Sequence, residues 1–127
     1  VSDVGSQWNI SSNLTMGYYA TGTLNISAGG VVSNTSAYMG REDGATGVVN
    51  VSGAGSLWSN ESLNIGFYGD GTLNINDGGK VTNTGLGILG NYVGSTGTVN
   101  VSTGGLWDIT QSLFVGRAGI GTLTISE

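Results

Sequence analysis

Gly22-Thr-Leu-Asn-Ile26, Gly47-Val-Val-Asn-Val51, Gly71-Thr-Leu-Asn-Ile75, Gly97-Thr-Val-Asn-Val101 and Gly121-Thr-Leu-Thr-Ile125 are five versions of one phrase. Successive copies begin 25, 24, 26 and 24 residues apart. A fixed period in this range marks a solenoid, in which each repeat packs only on its neighbours. Within the phrase, apolar and polar residues alternate, so Leu24 and Ile26 share one face of a strand while Thr23 and Asn25 share the other.

Two further extended runs complete each period. The second follows a glycine-rich corner, as in Val31-Val-Ser-Asn34 and Lys80-Val-Thr-Asn83. The third ends in an apolar residue and a glycine: Met16-Gly17, Met39-Gly40, Ile65-Gly66, Leu89-Gly90 and Val115-Gly116. Three short strands per turn of 24–26 residues predict an all-β parallel β-helix of about five rungs. With rungs stacked about 4.8 Å apart, the rod is roughly 24 Å long. Two rung types alternate. One carries Trp8, Trp58 or Trp107 in the second run, the other Val32 or Val81. All three indoles are therefore expected inside the bore. Asn34, Asn60 and Asn83, two residues further on, read as an inward stack that caps backbone groups at a corner. Indels fall only at turns, where glycine supplies the positive φ that tight corners demand.

Composition narrows the function. Glycine, serine, threonine and asparagine make up about half of the 127 residues, and proline, cysteine and histidine are absent. Without cysteine there is no disulfide framework and no thiolate metal site. The net charge is −5, with Lys80, Arg41 and Arg117 scattered, so nucleic acid is not an expected partner. No apolar run approaches the roughly 18 residues that span a bilayer, so this segment is not expected to insert directly into a membrane.

The stretches GTLNISAGGVVSNTSAYMG, GSTGTVNVS and VSGAGSLWSNESLNIGFYGDGTLNI resemble the passenger-domain repeats of bacterial autotransporters (type V secretion), and the likeness runs along essentially the whole chain. It implies a right-handed β-helix, export across two membranes and display at the bacterial cell surface. It also implies that residues 1–127 are a single solenoid segment sliced from a longer passenger.

The candidate ligand-binding residues are the aromatics of the third turns: Tyr18, Tyr19, Phe67, Tyr68 and Tyr92. Exposed rings on adjacent rungs can stack on sugars or anchor a protein; their bland role is to shield the turn backbone. Glu42, Asp43 and Asp70 could be paired carboxylates, as in polysaccharide-cleaving β-helices, or calcium ligands. No histidine accompanies them and the calcium-binding nonapeptide is missing, so they read as solvated turn acids. The outward Thr-x-Asn columns could order water as an ice-binding face does, but Val48 interrupts them, and β-propensity with stacked amides accounts for them more simply.

The expectation is thus a non-catalytic surface stalk or adhesin rod with no cofactor and no metal. A carbohydrate-binding or carbohydrate-cleaving β-helix is the alternative, and an ice-binding solenoid the third. The partners expected are a host-surface glycan or protein, like molecules on other cells, or a second copy stacked end to end through open rung edges.

Overall fold

The computed structural model describes every residue from Val1 to Glu127. The chain contains thirteen strands and no helix. The five repeated phrases form β3 (Thr21–Ser27), β5 (Thr46–Ser52), β7 (Asp70–Asn76), β10 (Thr96–Val101) and β13 (Ile120–Ile125). These pair in parallel, in chain order, as one sheet. The remaining strands build the second sheet, also parallel: β1 (Gln7–Asn9), β2 (Leu14–Met16), β4 (Val31–Met39), β6 (Leu57–Ile65), β8 (Lys80–Asn83), β9 (Gly87–Leu89), β11 (Leu106–Ile109) and β12 (Leu113–Val115). The molecule is a β-solenoid of about five coils, each pairing only with the coil before and after it.

The coil is simpler than three separate strands. The second and third runs lie in one sheet, and in β4 and β6 they join into single nine-residue strands. Nothing between Asn34 and Ser36, or between Asn60 and Ser62, breaks an extended backbone; Thr35 and Glu61 continue it. Thr84-Gly85 does break it, so β8 and β9 are separate.

Register follows the repeat. Leu24, Val49, Leu73, Val99 and Leu123 stand in one column, and Ile26, Val51, Ile75, Val101 and Ile125 in the next. Met16, Met39, Ile65, Leu89 and Val115 form a third. The residues of the middle coils are completely buried in one cluster, while Leu24 and Leu123 are only partly covered at the two ends. A single coil has no inside; stacking makes the core.

The glycines that open each phrase have a different job from the one composition suggests. Gly22, Gly47, Gly71, Gly97 and Gly121 do not adopt positive φ. A Cβ at Gly97 would instead overlap the Ile65 carbonyl oxygen and the Gly90 nitrogen, because the phrase starts where the third strand of its own coil and that of the previous one pass against it. Positive φ belongs to the glycines ending the third strand, from Gly17 (73°) to Gly116 (78°), and to two-residue turns such as Asp77-Gly78 (50° and 80°). Gly97→Ala should therefore destabilise by about 3 kcal/mol or more through overpacking against backbone. Gly94→Ala, at φ 89° with open space around its Cβ, should cost only about 1–2 kcal/mol. Urea unfolding of the two variants checks this, and equal losses would contradict the close-approach role.

Tryptophan and asparagine meet inside the bore. Trp8, Val32, Trp58, Val81 and Trp107 align in register. Trp58 is fully buried and Trp107 packs against the core cluster, whereas Trp8 is 46% exposed because it lines the open mouth of the first coil. Asn34, Asn60 and Asn83 are buried, as expected. They do not serve chiefly as backbone caps. The Trp58 indole Nε1 donates to Asn34 Oδ1 at 2.8 Å, and Trp107 Nε1 to Asn83 Oδ1 at 2.7 Å; only Asn83 also reaches backbone, donating to the Gly85 carbonyl at 3.2 Å. Trp58 and Trp107 are thus each satisfied by the asparagine one coil earlier. Asn60 faces a coil carrying Val81 and receives no indole, and neither atom of its amide has a protein partner. Asn34→Leu should cost about 1–3 kcal/mol by orphaning a buried N–H. Asn60→Leu should cost less, since Ile109 already fills the corresponding place one coil beyond Asn83. Thermal unfolding of the pair decides it, and an Asn60→Leu loss as large as that of Asn34→Leu would refute the pairing as the source of the difference.

Candidate functional site

All five tyrosines and both phenylalanines lie on a single flank of the solenoid, while the three tryptophans stand in the bore column. The flank is the outward face of the third run plus the turn after it. Period-2 alternation produces part of it. Met39 and Val115 occupy the inward column, so Tyr38 and Phe114, one residue earlier, project outward. The glycine after each inward residue turns the chain, and Tyr18, Tyr19, Tyr68 and Tyr92 in the residues that follow are exposed, whereas Asn91 is buried.

The five expected ligand-binding aromatics fall into two groups that the structure joins. Phe67 packs edge-on against Tyr68 and against Tyr92, with centroids 5.1 Å apart in each case. Tyr68 and Tyr92, from adjacent coils, stack at 4.3 Å and 11°. Tyr18 and Tyr19 contact each other at 4.6 Å. Two residues missing from that set connect the groups. The Arg41 guanidinium sits 5.1 Å from the Tyr18 ring and 5.2 Å from the Tyr38 ring, and Tyr38 meets Phe67 at 5.0 Å. At the far end, Arg117 lies 6.0 Å from the Phe114 ring and donates to Asn91 Oδ1 at 3.5 Å. Asn91 in turn donates to Asn64 Oδ1 at 3.1 Å. The alternation that buries Met39 was the sequence signal for Tyr38; attention to turns alone overlooks it.

The rings are substantially exposed: Tyr18 44%, Tyr19 77%, Tyr68 42% and Tyr92 41%. The turn backbone beneath them is already paired between coils. Gly66 N–H donates to the Met39 carbonyl at 3.0 Å, Asn91 N–H to Gly66 at 2.9 Å and Arg117 N–H to Gly90 at 3.0 Å.

The acidic residues are spread over the same corner. Glu42 lies 4.0 Å from Arg41. Asp43 follows it in the turn, and Asp70 opens β7. No three acidic side chains converge in a group able to hold a metal ion. On the other sheet the outward asparagines form a hydrogen-bonded ladder: Asn50 Nδ2 donates to Asn25 Oδ1 at 2.8 Å, Asn74 to Asn50 at 2.8 Å and Asn100 to Asn74 at 2.9 Å. These amides are occupied with one another along the axis.

Two hollows exist, and both are mouths of the bore. One of about 150 Å³ is lined by Trp8, Leu14, Met16 and Leu24; the other, about 230 Å³, by Val101, Trp107, Leu113 and Leu123. The flank between them is without a recess. Compared with protein-family models, curated proteins and solved structures, the chain matches none of them.

Proposed function

We propose that this chain is part of a surface-displayed, non-catalytic rod of autotransporter type, acting as a stalk or adhesin at the bacterial cell surface. The observation that supports this best is the uniformity of the coils: the same columns repeat from one end to the other, with hollows only at the bore mouths. A rod needs length, stiffness and a repeating wall, and little else. The passenger-like repeat phrases point to export. Antibody raised against the chain should label intact, unpermeabilised cells of the source organism; labelling that appears only after permeabilisation would count against surface display.

Catalysis by the corner acids would need a base and an acid held to sub-ångström precision, and Glu42 and Asp43 stand on a turn. Incubation with polysaccharides should release no reducing ends. Cleavage that disappears in Asp43→Asn or Asp70→Asn would move the protein to the carbohydrate-cleaving class. The ice-binding alternative has less support, because Val48 breaks the threonine column and the asparagine ladder spends its amides internally.

Self-association belongs to the same proposal. Taken alone, residues 1–127 leave both apolar bore mouths open and the outermost strands without a neighbour, and such edges are templates for another chain. A head-to-tail joint, however, would place Ile109 instead of an asparagine against the Trp8 indole. Association should therefore be weak and reversible. Sedimentation should show the average mass rising with concentration, and a strictly monomeric species at millimolar concentration would overturn this.

A further inference from the structure

We infer that Tyr68 and Tyr92 form an oxidative cross-linking site. A one-electron oxidant, such as peroxide acting through a haem peroxidase, couples their phenols into a dityrosine that ties one coil to the next. The two rings come from adjacent coils, 24 residues apart in the chain. They stack at a centroid distance of 4.3 Å and an interplanar angle of 11°. Phe67 packs edge-on against both. The rings thus spend their faces on each other, which bars a ligand from them but sets them up to react together.

Phenol coupling makes a specific geometric demand. Each tyrosine gives up one electron and its hydroxyl proton and becomes a phenoxyl radical. The unpaired electron is shared with the ring carbons beside the C–O bond. A carbon–carbon bond then forms between orbitals that stand perpendicular to the two rings, so facing rings are placed to join and edge-on rings are not. The hydrogen at each coupled carbon moves to the oxygen and restores the phenol. In total the pair loses two hydrogen atoms, and one hydrogen peroxide takes them up as two molecules of water. Reactants held in contact have an effective concentration far above that of the protein itself, so coupling within a chain outruns coupling between chains.

The rest of the flank singles this pair out. Tyr18 and Tyr19 meet at 62°, and Tyr38 packs on Phe67 and Arg41 rather than on a second tyrosine. Phe67 has no hydroxyl to oxidise. Tyr68 and Tyr92 are both exposed, which gives an oxidant access and the product room to turn outward. Met16 and Met39, which oxidants also attack, are buried in the core. The tie reinforces a turn whose own bonds are long: 3.2 Å from Tyr68 N–H to the Gly40 carbonyl and 3.2 Å from Tyr92 N–H to the Phe67 carbonyl. A covalent loop across two coils also restricts the unfolded chain, which favours the folded one.

The sequence makes the test unambiguous. Trypsin cuts after Arg41, Lys80 and Arg117, so Tyr68 is the sole tyrosine of fragment 42–80 and Tyr92 the sole tyrosine of fragment 81–117, while Tyr18, Tyr19 and Tyr38 stay in fragment 1–41. The intact chain, at low micromolar concentration, is treated with a haem peroxidase and hydrogen peroxide, then denatured, digested and weighed. Fragments 42–80 and 81–117 should leave as one joined species, two hydrogen atoms lighter than their sum and carrying the blue emission of dityrosine. The undigested protein should stay monomeric on a denaturing gel, and its thermal midpoint should rise by several degrees. Tyr92→Phe keeps the ring and the stack, so it should melt as the parent does and lose the joined species. Tyr19→Phe should retain it. The inference is overturned if no dityrosine forms, if the cross-link runs through fragment 1–41 or between chains, or if Tyr92→Phe still yields the joined fragments. Each of these outcomes leaves the rod reading standing, since that reading is tested by surface labelling.

Discussion

The structure depends on the axial register of one coil upon the next. Each coil hydrogen-bonds only to its neighbours, so a residue's environment is set by what stands one period earlier and one period later. That register needs backbone segments to pass closer than a side chain permits. The five phrase-opening glycines satisfy this need, and it explains why they persist while the turns around them vary in length. Once the register holds, the apolar columns bury themselves without further instruction. The same register lines up the asparagines of the outer wall closely enough to bond to one another.

Aromatic residues are divided by chemistry between the inside and the outside. An indole fills the bore of every second coil, and its single N–H must then find an acceptor in an apolar interior. For Trp58 and Trp107 the asparagine of the preceding coil supplies it. Tyrosine can present a flat face while keeping its hydroxyl wet, and it stands with phenylalanine on the outer corner. With only 11 charged residues in the chain, surface ion pairs contribute little; Arg41–Glu42 and Lys80–Asp108, both at 4.0 Å, are exposed contacts of small value. The cohesion lies in the stacked columns and the backbone ladders.

The period and the alternation were legible in the sequence because both are one-dimensional signals. They yield the coil count, the inward columns from Leu24 to Leu123 and the place of Trp58 in the bore. What was not legible depends on distances between coils. The fusion of the second and third runs in β4 follows from the lack of a break at Thr35, which composition does not announce. The need for glycine at Gly97 comes from backbone of the neighbouring third strands, which the period does not announce. The Asn34–Trp58 bond joins residues 24 apart, a spacing that carries no meaning until the register is known. The candidate site was half legible for the same reason. The turn aromatics stand out by position, whereas Tyr38 and Arg41, which join Tyr18 to Phe67, emerge only when adjacent coils are superposed.

The side chains also give the rod a direction. All nine hydrogen bonds between side chains run from a donor on a later coil to an acceptor on an earlier one. For tryptophan and arginine this sense is forced, since neither indole nor guanidinium can accept. The Asn25-to-Asn100 ladder aligns its amides the same way, and the column closes on Thr124 beyond Asn100. The alternation of Trp and Val coils runs along the same axis, Val32 following Trp8 and Val81 following Trp58. Because an indole can only donate, each buried one must be preceded, not followed, by its asparagine, and the order of the coils cannot be reversed without orphaning that N–H.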